Sequence, residues 1–433
     1  MLTDFYEFTM VAGYYYQNMV DLSATFDLFV RKLPPNRDFL ISAGLDQALE
    51  FLRNFHLSNE DIDYVLQQAP FHTYPFRDDF AAYLRDLRFT GTVRAVPEGT
   101  ILFPDEPILE VSAPLGEAQL IETALTTIIG HQTLIASKAQ RVVQAAKGKA
   151  VIDFGARRAH GLDAALMGSR AAFIGGCVAT SNVLAGRTFG IPVSGTQAHS
   201  WIQCFPDELT AFRKYVEIFP THATLLIDTY DLTQGAKNAA IVNKELLAAR
   251  KEPIFGIRID SGDLAANSHL VRKILDENGG SDIKIIVSSD LNEFLITDLL
   301  EKNCPIDAFG VGTELMVSKD QPVLPIVYKL VEYDGQPRMK FSDGKRTYPG
   351  QKQIFRMWDS DGLIVDTLGA PTEVPENMEP LMHPVLYGQI MERDLPALSQ
   401  IRDYVQRQLK LFKGFRKLLL SPQITQKVSQ CYQ

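Results

Sequence analysis

Cysteine is scarce in this chain. The four that occur, Cys177, Cys204, Cys304 and Cys431, lie far apart and form no C-x-x-C pair. That argues against a disulfide framework and a cysteine-based structural zinc site, and free thiols fit a reducing compartment. Long apolar runs are missing as well. None approaches the roughly 20 residues that span a bilayer as a helix. Positive charge is in the minority, 43 Lys and Arg against 52 Asp and Glu, for a formal net charge of −9. Such a surface is a poor match to a nucleic-acid duplex or an acidic membrane, so neither is expected as a partner. A small basic pocket inside the fold remains compatible with it. No secretory pattern opens the sequence: Asp4 and Glu7 come early and the first basic residue is Arg31. The expected location is the cytoplasm. Internal repeats, low-complexity tracts, and the spacings of a P-loop or a dinucleotide fingerprint are also absent.

What remains is an ordinary globular composition, 46% hydrophobic and 22% charged. The length, 433 residues, implies two or three domains with a split core. The start, about Asp4 to Met19, reads as an aromatic-rich helix with Thr3 or Asp4 as its cap. Ala24–Val30 reads as a strand, and helical patterns follow over 43–55, 58–68 and 76–87. Gly91–Val96, Thr100–Phe103 and Ile108–Val111 read as strands of a small, mainly antiparallel sheet, punctuated by Pro97, Gly99, Pro104 and Pro107. A helical stretch over about Glu117–Lys147 contains Gly130, and is one helix or two.

From Ala150 the texture changes. Short apolar runs recur, each ending in polar or glycine-rich residues: 150–155, 171–176, 191–195, 224–229, 254–260, 284–290 and 307–312. Helical patterns fill most gaps, as in Pro206–Ile218, Leu232–Arg250, Leu264–Glu277 and Asn292–Leu300. This alternation indicates parallel βα units covered on both faces. An open doubly wound sheet and a closed barrel both fit, and seven strands are one short of a regular barrel. After about Val323 the pattern changes again, with a hairpin over Ile326–Tyr333, Gly335 and Met339–Phe341. A basic helix is expected over about Ala397–Leu420.

In parallel α/β folds ligands bind beyond the carboxyl ends of the strands, and four groups of unusual residues fall there. In Asp153-Phe154-Gly155-Ala156-Arg157-Arg158, two arginines after a strand are costly near a core unless they meet anions. Phe154 beside them offers a flat face. The alternative is a solvated helix start with one arginine paired to Asp153. In Gly195-Thr196-Gln197-Ala198-His199-Ser200, His199 follows a turn with backbone donors and can act as acid, base or phosphoryl acceptor. In Arg258-Ile259-Asp260-Ser261-Gly262-Asp263, Arg258 and Asp260 share one face of a strand. Asp228 and Asp290 end neighbouring strands, and these carboxylates suit ribose hydroxyls or a Mg²⁺ beside a diphosphate. Their competing reading is helix N-capping, above all for Asp263 and Asp290. Gly310-Val311-Gly312-Thr313 places glycines where backbone N–H groups can close on a phosphate. The residues alone therefore point to an α/β enzyme handling a phosphate-bearing substrate.

Taken together, and with Leu2-Thr3-Asp4-Phe5-Tyr6, Phe26-Asp27-Leu28-Phe29-Val30-Arg31-Lys32 and Thr180-Ser181-Asn182-Val183-Leu184-Ala185-Gly186, these motifs resemble nicotinate phosphoribosyltransferase over about residues 1–390. The resemblance implies a type II phosphoribosyltransferase-like fold. An open antiparallel α/β sandwich (1–115) would precede an irregular, about seven-stranded βα barrel carrying the active site (116–322). The chain would return to the sandwich over 323–390 and end in a helical segment, 391–433. It also implies an ATP-dependent enzyme of NAD salvage that makes nicotinate mononucleotide from nicotinate and 5-phosphoribosyl-1-diphosphate, with Mg²⁺ accompanying the diphosphate. His199 would be phosphorylated by ATP. Tyr6 from the partner of a homodimer and Phe154 would sandwich the pyridine ring, and Arg258 and Thr196 would meet its carboxylate. Arg157, Asp228, Asp260, Asp290, Gly310, Gly312 and Thr313 would line the phosphoribosyl and diphosphate path. Nicotinamide and quinolinate enzymes are the nearest alternatives. An amide-preferring enzyme is expected to carry an aspartate that Ala179-Thr180-Ser181-Asn182 lacks. A βα-barrel aldolase would need a strand-end lysine or paired metal ligands, and none occurs. A non-catalytic nucleotide-binding dimer would have no need of His199.

Overall fold

Every residue of Ala24–Val30 is buried. Burial at successive rather than alternate positions means that both faces are covered. The strand Ser23–Val30 accordingly lies mid-sheet, antiparallel to Ile326–Tyr333 on one side and to Pro107–Pro114 on the other. The computed structural model describes residues 2–342, 345–413 and 416–432. The chain divides into two units, residues 1–134 with 323–433, and residues 135–322.

In the first unit the central sheet runs in the order Gln336–Pro337, Ile326–Tyr333, Ser23–Val30, Pro107–Pro114, Thr92–Ala95, His383–Tyr387 and Ile390–Met391. Chain from beyond residue 323 therefore joins the sheet that the N-terminal residues begin. Helices Phe5–Tyr16, Leu45–Arg53, Asn59–Leu66 and Arg77–Asp86 bury Phe8, Val11, Leu49, Ile62 and Phe80 in the same core as Leu28 and Val111. Asp27 and Glu110 face each other across adjacent strands. Lys352 Nζ lies 2.7 Å from Asp27 and Arg94 lies 3.0 Å from Glu110. Burial, then the Asp27 charge, pushes the Glu110 carboxyl up to about 7 against the pull of the two cations.

Several boundaries differ from the sequence reading, each for a local reason. The 117–147 helix breaks at Ile121, between Leu115–Leu120 and Glu122–Ala145, and passes through Gly130 without interruption. The hairpin partner of Ile326–Tyr333 is Gln336–Pro337, not Met339–Phe341. The C-terminal helix stops at Leu411. Residues 414–415 of the expected helix lie outside the described residues. Arg416–Leu420 then pairs in parallel with Ile364–Gly369, an open edge that a run of leucines can extend along. That strand completes a separate four-stranded sheet with Gln353–Trp358 and Glu379–Pro380.

The second unit holds a parallel sheet in the order Ala179–Thr180, Ala150–Asp153, Ala308–Val311, Lys284–Val287, Gly256–Ile259 and Thr224–Leu226. Val193 adds one parallel bridge to Thr180. Residues 171–176, expected as a strand, instead end the helix Leu162–Ile174. A short, fully buried apolar run carries no period to tell helix from strand, and the strand forms just after it. Helices Leu232–Ala248, Leu264–Glu277 and Glu293–Glu301 return the chain between successive strands. No helix among the described residues is long and apolar enough to cross a membrane.

Candidate active site

Because the six strands are parallel, their carboxyl ends gather along one edge of the sheet. Asp153 ends the first of them and is fully buried. It accepts from Gly155 N (2.7 Å), Ser169 Oγ (2.8 Å) and Thr180 Oγ1 (2.7 Å). Burial raises its carboxyl, and the three donors oppose that. Asp153 thus fixes the turn and, among the described residues, pairs with no arginine. Arg157 and Arg158 stay exposed. Phe154 lies over Gly310, where an added Cβ would overlap its ring. Gly310 is a buried residue within the strand Ala308–Val311, not part of a phosphate-facing turn. Gly312 follows that strand and precedes the short helix Thr313–Met316.

His199 opens the helix His199–Gln203. Its Nδ1 lies 3.1 Å from Thr229 Oγ1. Its Nε2 lies 3.8 Å from Asp260 Oδ2, too far for a hydrogen bond but close enough for electrostatic attraction. Asp260 Oδ1 accepts from Ser288 Oγ, and the Asp260 backbone N–H donates to Asp228 Oδ2 at 2.8 Å. Ser261 Oγ donates to the same Asp228 oxygen at 2.6 Å. Arg258 donates to the carbonyl of Gln197 at 3.0 Å, which ties the strand to the Thr196–His199 loop. Burial lowers the pKa of its guanidinium; Asp260 and Asp228 pull the other way, and the Arg157 charge repels it.

Three residues here carry buried polar atoms without a partner: Arg258 Nε, Asp228 Oδ1, and both side-chain polar atoms of Gln197. Buried donors and acceptors are nearly always paired, and here the protein's own atoms leave several of them unsatisfied. Helix capping accounts for Asp263, which accepts from Ala265 N and Ala266 N. It does not account for Asp228 or Asp290, since Asp231 and Asn292 cap the helices that follow. Asp290 is exposed, and it and Ser289 both have positive φ, 40° and 100°, a strained turn for residues with side chains. Thr196 is half-buried beside Gln197. In the other unit, Tyr6 is 44% exposed on the first helix. Its hydroxyl is held protonated by partial burial and by Glu122. No group of three or more potential metal ligands is assembled among the described residues. The strand ends offer a divalent cation the separate carboxylates of Asp228, Asp260 and Asp290 rather than a preassembled cage.

Family models match at both ends of this architecture. The nicotinate phosphoribosyltransferase N-terminal domain matches residues 1–130, and the nicotinate phosphoribosyltransferase family matches residues 150–357. A nicotinate phosphoribosyltransferase of Mycobacterium tuberculosis is 43% identical over 412 residues, covering 94% of this chain and 86% of the relative. That of Bacillus subtilis is 41% identical, covering 97% and 91%. This chain belongs to the nicotinate phosphoribosyltransferase family. The crystal structure of human nicotinic acid phosphoribosyltransferase superposes with a TM-score of 0.87 at 29% identity, over 99% of this chain and 100% of that one. A nicotinate-nucleotide pyrophosphorylase of Pyrococcus furiosus gives 0.76 at 26% identity, covering 95% of each.

Within this family fold, motif reading missed Thr229, Ser288 and Gln197. Thr229 is adjacent to Asp228 and Ser288 stands two residues before Asp290, so proximity in sequence was a usable signal. Gln197 carried none, because its burial comes entirely from the tertiary fold.

Proposed function

We propose that the protein joins nicotinate to 5-phosphoribosyl-1-diphosphate, in NAD salvage in the cytoplasm, on an irregular, about seven-stranded barrel completed by an open sandwich. The ring nitrogen donates its lone pair to C1 of the sugar as the C1–O bond breaks, and diphosphate leaves with that electron pair. The observation that carries the reading is the strand-end cluster of His199, Arg258, Asp228 and Asp260 with its unpartnered polar atoms. Arg258, with Thr196 near it, meets the ring carboxylate through charge-assisted hydrogen bonds. Phe154, with Tyr6 of the partner subunit in a homodimer, holds the ring flat and orients its nitrogen. Arg157, Asp290, Gly312 and Thr313 line the phosphoribosyl and diphosphate path. Gly310 contributes by leaving room for Phe154. Asp228 and Asp260 hold ribose hydroxyls and the edge of the Mg²⁺–diphosphate; bound Mg²⁺ supplies charge neutralisation on the leaving group.

ATP enters through His199. If Nδ1–H donates to Thr229 Oγ1, the Nε2 lone pair is free to take the γ-phosphoryl group, releasing ADP, with Asp260 beside it to favour the ring cation. The phosphorylated ring then presents a dianion near the diphosphate path, and its hydrolysis drives product formation. The test offers nicotinate, nicotinamide and quinolinate separately, with 5-phosphoribosyl-1-diphosphate and Mg²⁺, each with and without ATP. Mononucleotide from nicotinate alone, faster with ATP in wild type but not in His199→Asn, is the expected result. Product from another ring overturns the carboxylate assignment, and full ATP enhancement in His199→Asn overturns the phosphohistidine.

A further inference from the structure

Asp260 follows the strand Gly256–Ile259, and its side chain is 32% exposed. Its backbone is well held. The N–H donates to Asp228 Oδ2 at 2.8 Å, and the neighbouring Ser261 hydroxyl donates to the same oxygen at 2.6 Å. Neither bond reaches the Asp260 carboxylate. The torsion that turns an aspartate carboxylate is broad and roughly two-fold, so a fixed backbone still leaves the two oxygens free to rotate. Among the described residues one hydrogen bond stops that rotation: Ser288 Oγ donates to Oδ1. Oδ2 is thereby left toward His199 Nε2, at 3.8 Å.

Ser288 owes its place to the sheet. It is 4% exposed and directly follows the strand Lys284–Val287. Val287 pairs in parallel with Ile259, and the Ser288 backbone N–H donates to the Ile259 carbonyl at 2.9 Å. The residue before Asp260 thus anchors the residue that holds the Asp260 side chain. The Ser288 hydroxyl has no other acceptor among the described residues. On the far side of the imidazole, Thr229 Oγ1 lies 3.1 Å from His199 Nδ1. The ring is bracketed by a hydroxyl and a carboxylate, and the carboxylate takes its orientation from Ser288.

We infer that Ser288 is a positioning residue for phosphoryl transfer to His199: it occupies Oδ1 of Asp260 and so keeps Oδ2 at the Nε2 side of the ring. The inference rests on the phosphohistidine proposed above and names what orients its carboxylate. In that step Nε2 forms a bond to the γ-phosphorus, the bond from that phosphorus to the β–γ bridging oxygen breaks, and ADP leaves with the electron pair. The ring, still protonated at Nδ1, gains positive charge, which Oδ2 offsets. A carboxylate that has turned away offsets it less. Arg258 is tied separately, to the Gln197 carbonyl, so recognition of the pyridine carboxylate does not pass through Ser288.

Rapid-mix labelling of the full chain with γ-phosphate-labelled ATP and Mg²⁺ tests this in wild type, Ser288→Ala, Ser288→Thr, Asp260→Asn and the Ser288→Ala/Asp260→Asn double variant. The dissociation constant for nicotinate and the unfolding midpoint are measured beside it. Ser288→Ala should slow labelling by about tenfold, with nicotinate affinity within about twofold of wild type. Ser288→Thr keeps the hydroxyl and should recover most of the rate. In the Asp260→Asn background, adding Ser288→Ala should change the rate by less than about twofold, because the charge that the serine orients is already gone. A merely structural serine would instead cost the same factor in both backgrounds, and that outcome overturns the inference. So does a folded Ser288→Ala protein that labels at the wild-type rate. Absence of label in wild type overturns the phosphohistidine itself, and this inference with it, whereas a labelled wild type matched by Ser288→Ala overturns this inference alone.

Discussion

Replacing Arg258 with glutamine should collapse the preference for a carboxylate-bearing ring. Arg258 is half-buried, tied through one nitrogen to the Gln197 carbonyl at 3.0 Å, with Nε buried and unpartnered. Its remaining donors have no competing ion pair at hydrogen-bond distance among the described residues. A hydrogen bond between a guanidinium and a carboxylate contributes about 1.5–3 kcal/mol, which corresponds to roughly 10–150-fold in a binding or rate constant. Glutamine retains an amide donor, so a neutral ring amide loses little, about threefold or less. The measurement is kcat/KM for nicotinate and for nicotinamide in wild type, Arg258→Gln and Arg258→Lys, with the unfolding midpoint as a check on the fold. The ratio of the two constants should fall by at least about tenfold in Arg258→Gln. Arg258→Lys should recover part of it, because it restores charge without the planar fork. If the ratio stays within about threefold in a folded Arg258→Gln protein, the guanidinium does not read the carboxylate.

Lys352→Met should destabilise the first unit by about 3–5 kcal/mol, since it strands the buried Asp27 carboxylate opposite Glu110, which keeps Arg94; denaturant unfolding measures it, and a loss below about 1 kcal/mol would show that Asp27 does not depend on the lysine charge. Gly310→Ala should raise KM for nicotinate with little change for 5-phosphoribosyl-1-diphosphate, because the new methyl displaces the Phe154 ring; steady-state kinetics with each substrate varied separates the two. Glu7 is buried, with Thr123 donating to it from both N (3.1 Å) and Oγ1 (2.5 Å). Burial nevertheless pushes it up to about 7. A carboxyl raised on folding binds more protons in the native state, so its contribution to stability falls as pH rises from about 4.5 through 7. Glu7→Gln should therefore be more stable than wild type at pH 8, by on the order of 1 kcal/mol, and the gap should close by pH 5; thermal unfolding at the two pH values reads it.

The sequence by itself determined the βα alternation after residue 150, the helices that begin at Leu232 and Leu264, and the placement of polar residues at strand ends. These are local matters of period, capping and turn chemistry, and a strand end announces itself where an apolar run meets Asp or Gly. The family was legible in the same motifs, since their order along the chain survives without any contact being known. Tertiary structure alone decided which face each strand-end group presents. It paired His199 with Thr229, bonded Asp260 to Ser288, made Asp263 a cap and left one oxygen of Asp228, Oδ1, buried without a partner. It also turned 171–176 into helix and 416–420 into strand, because a short apolar run takes whichever partner the fold supplies. Gln197 and Glu208 show the limit most clearly. Gln197 stands inside the 195–200 motif and Glu208 in a helical stretch, yet neither residue's type or spacing announces burial, and in both the packed chain buries a polar group that its own atoms do not fully satisfy.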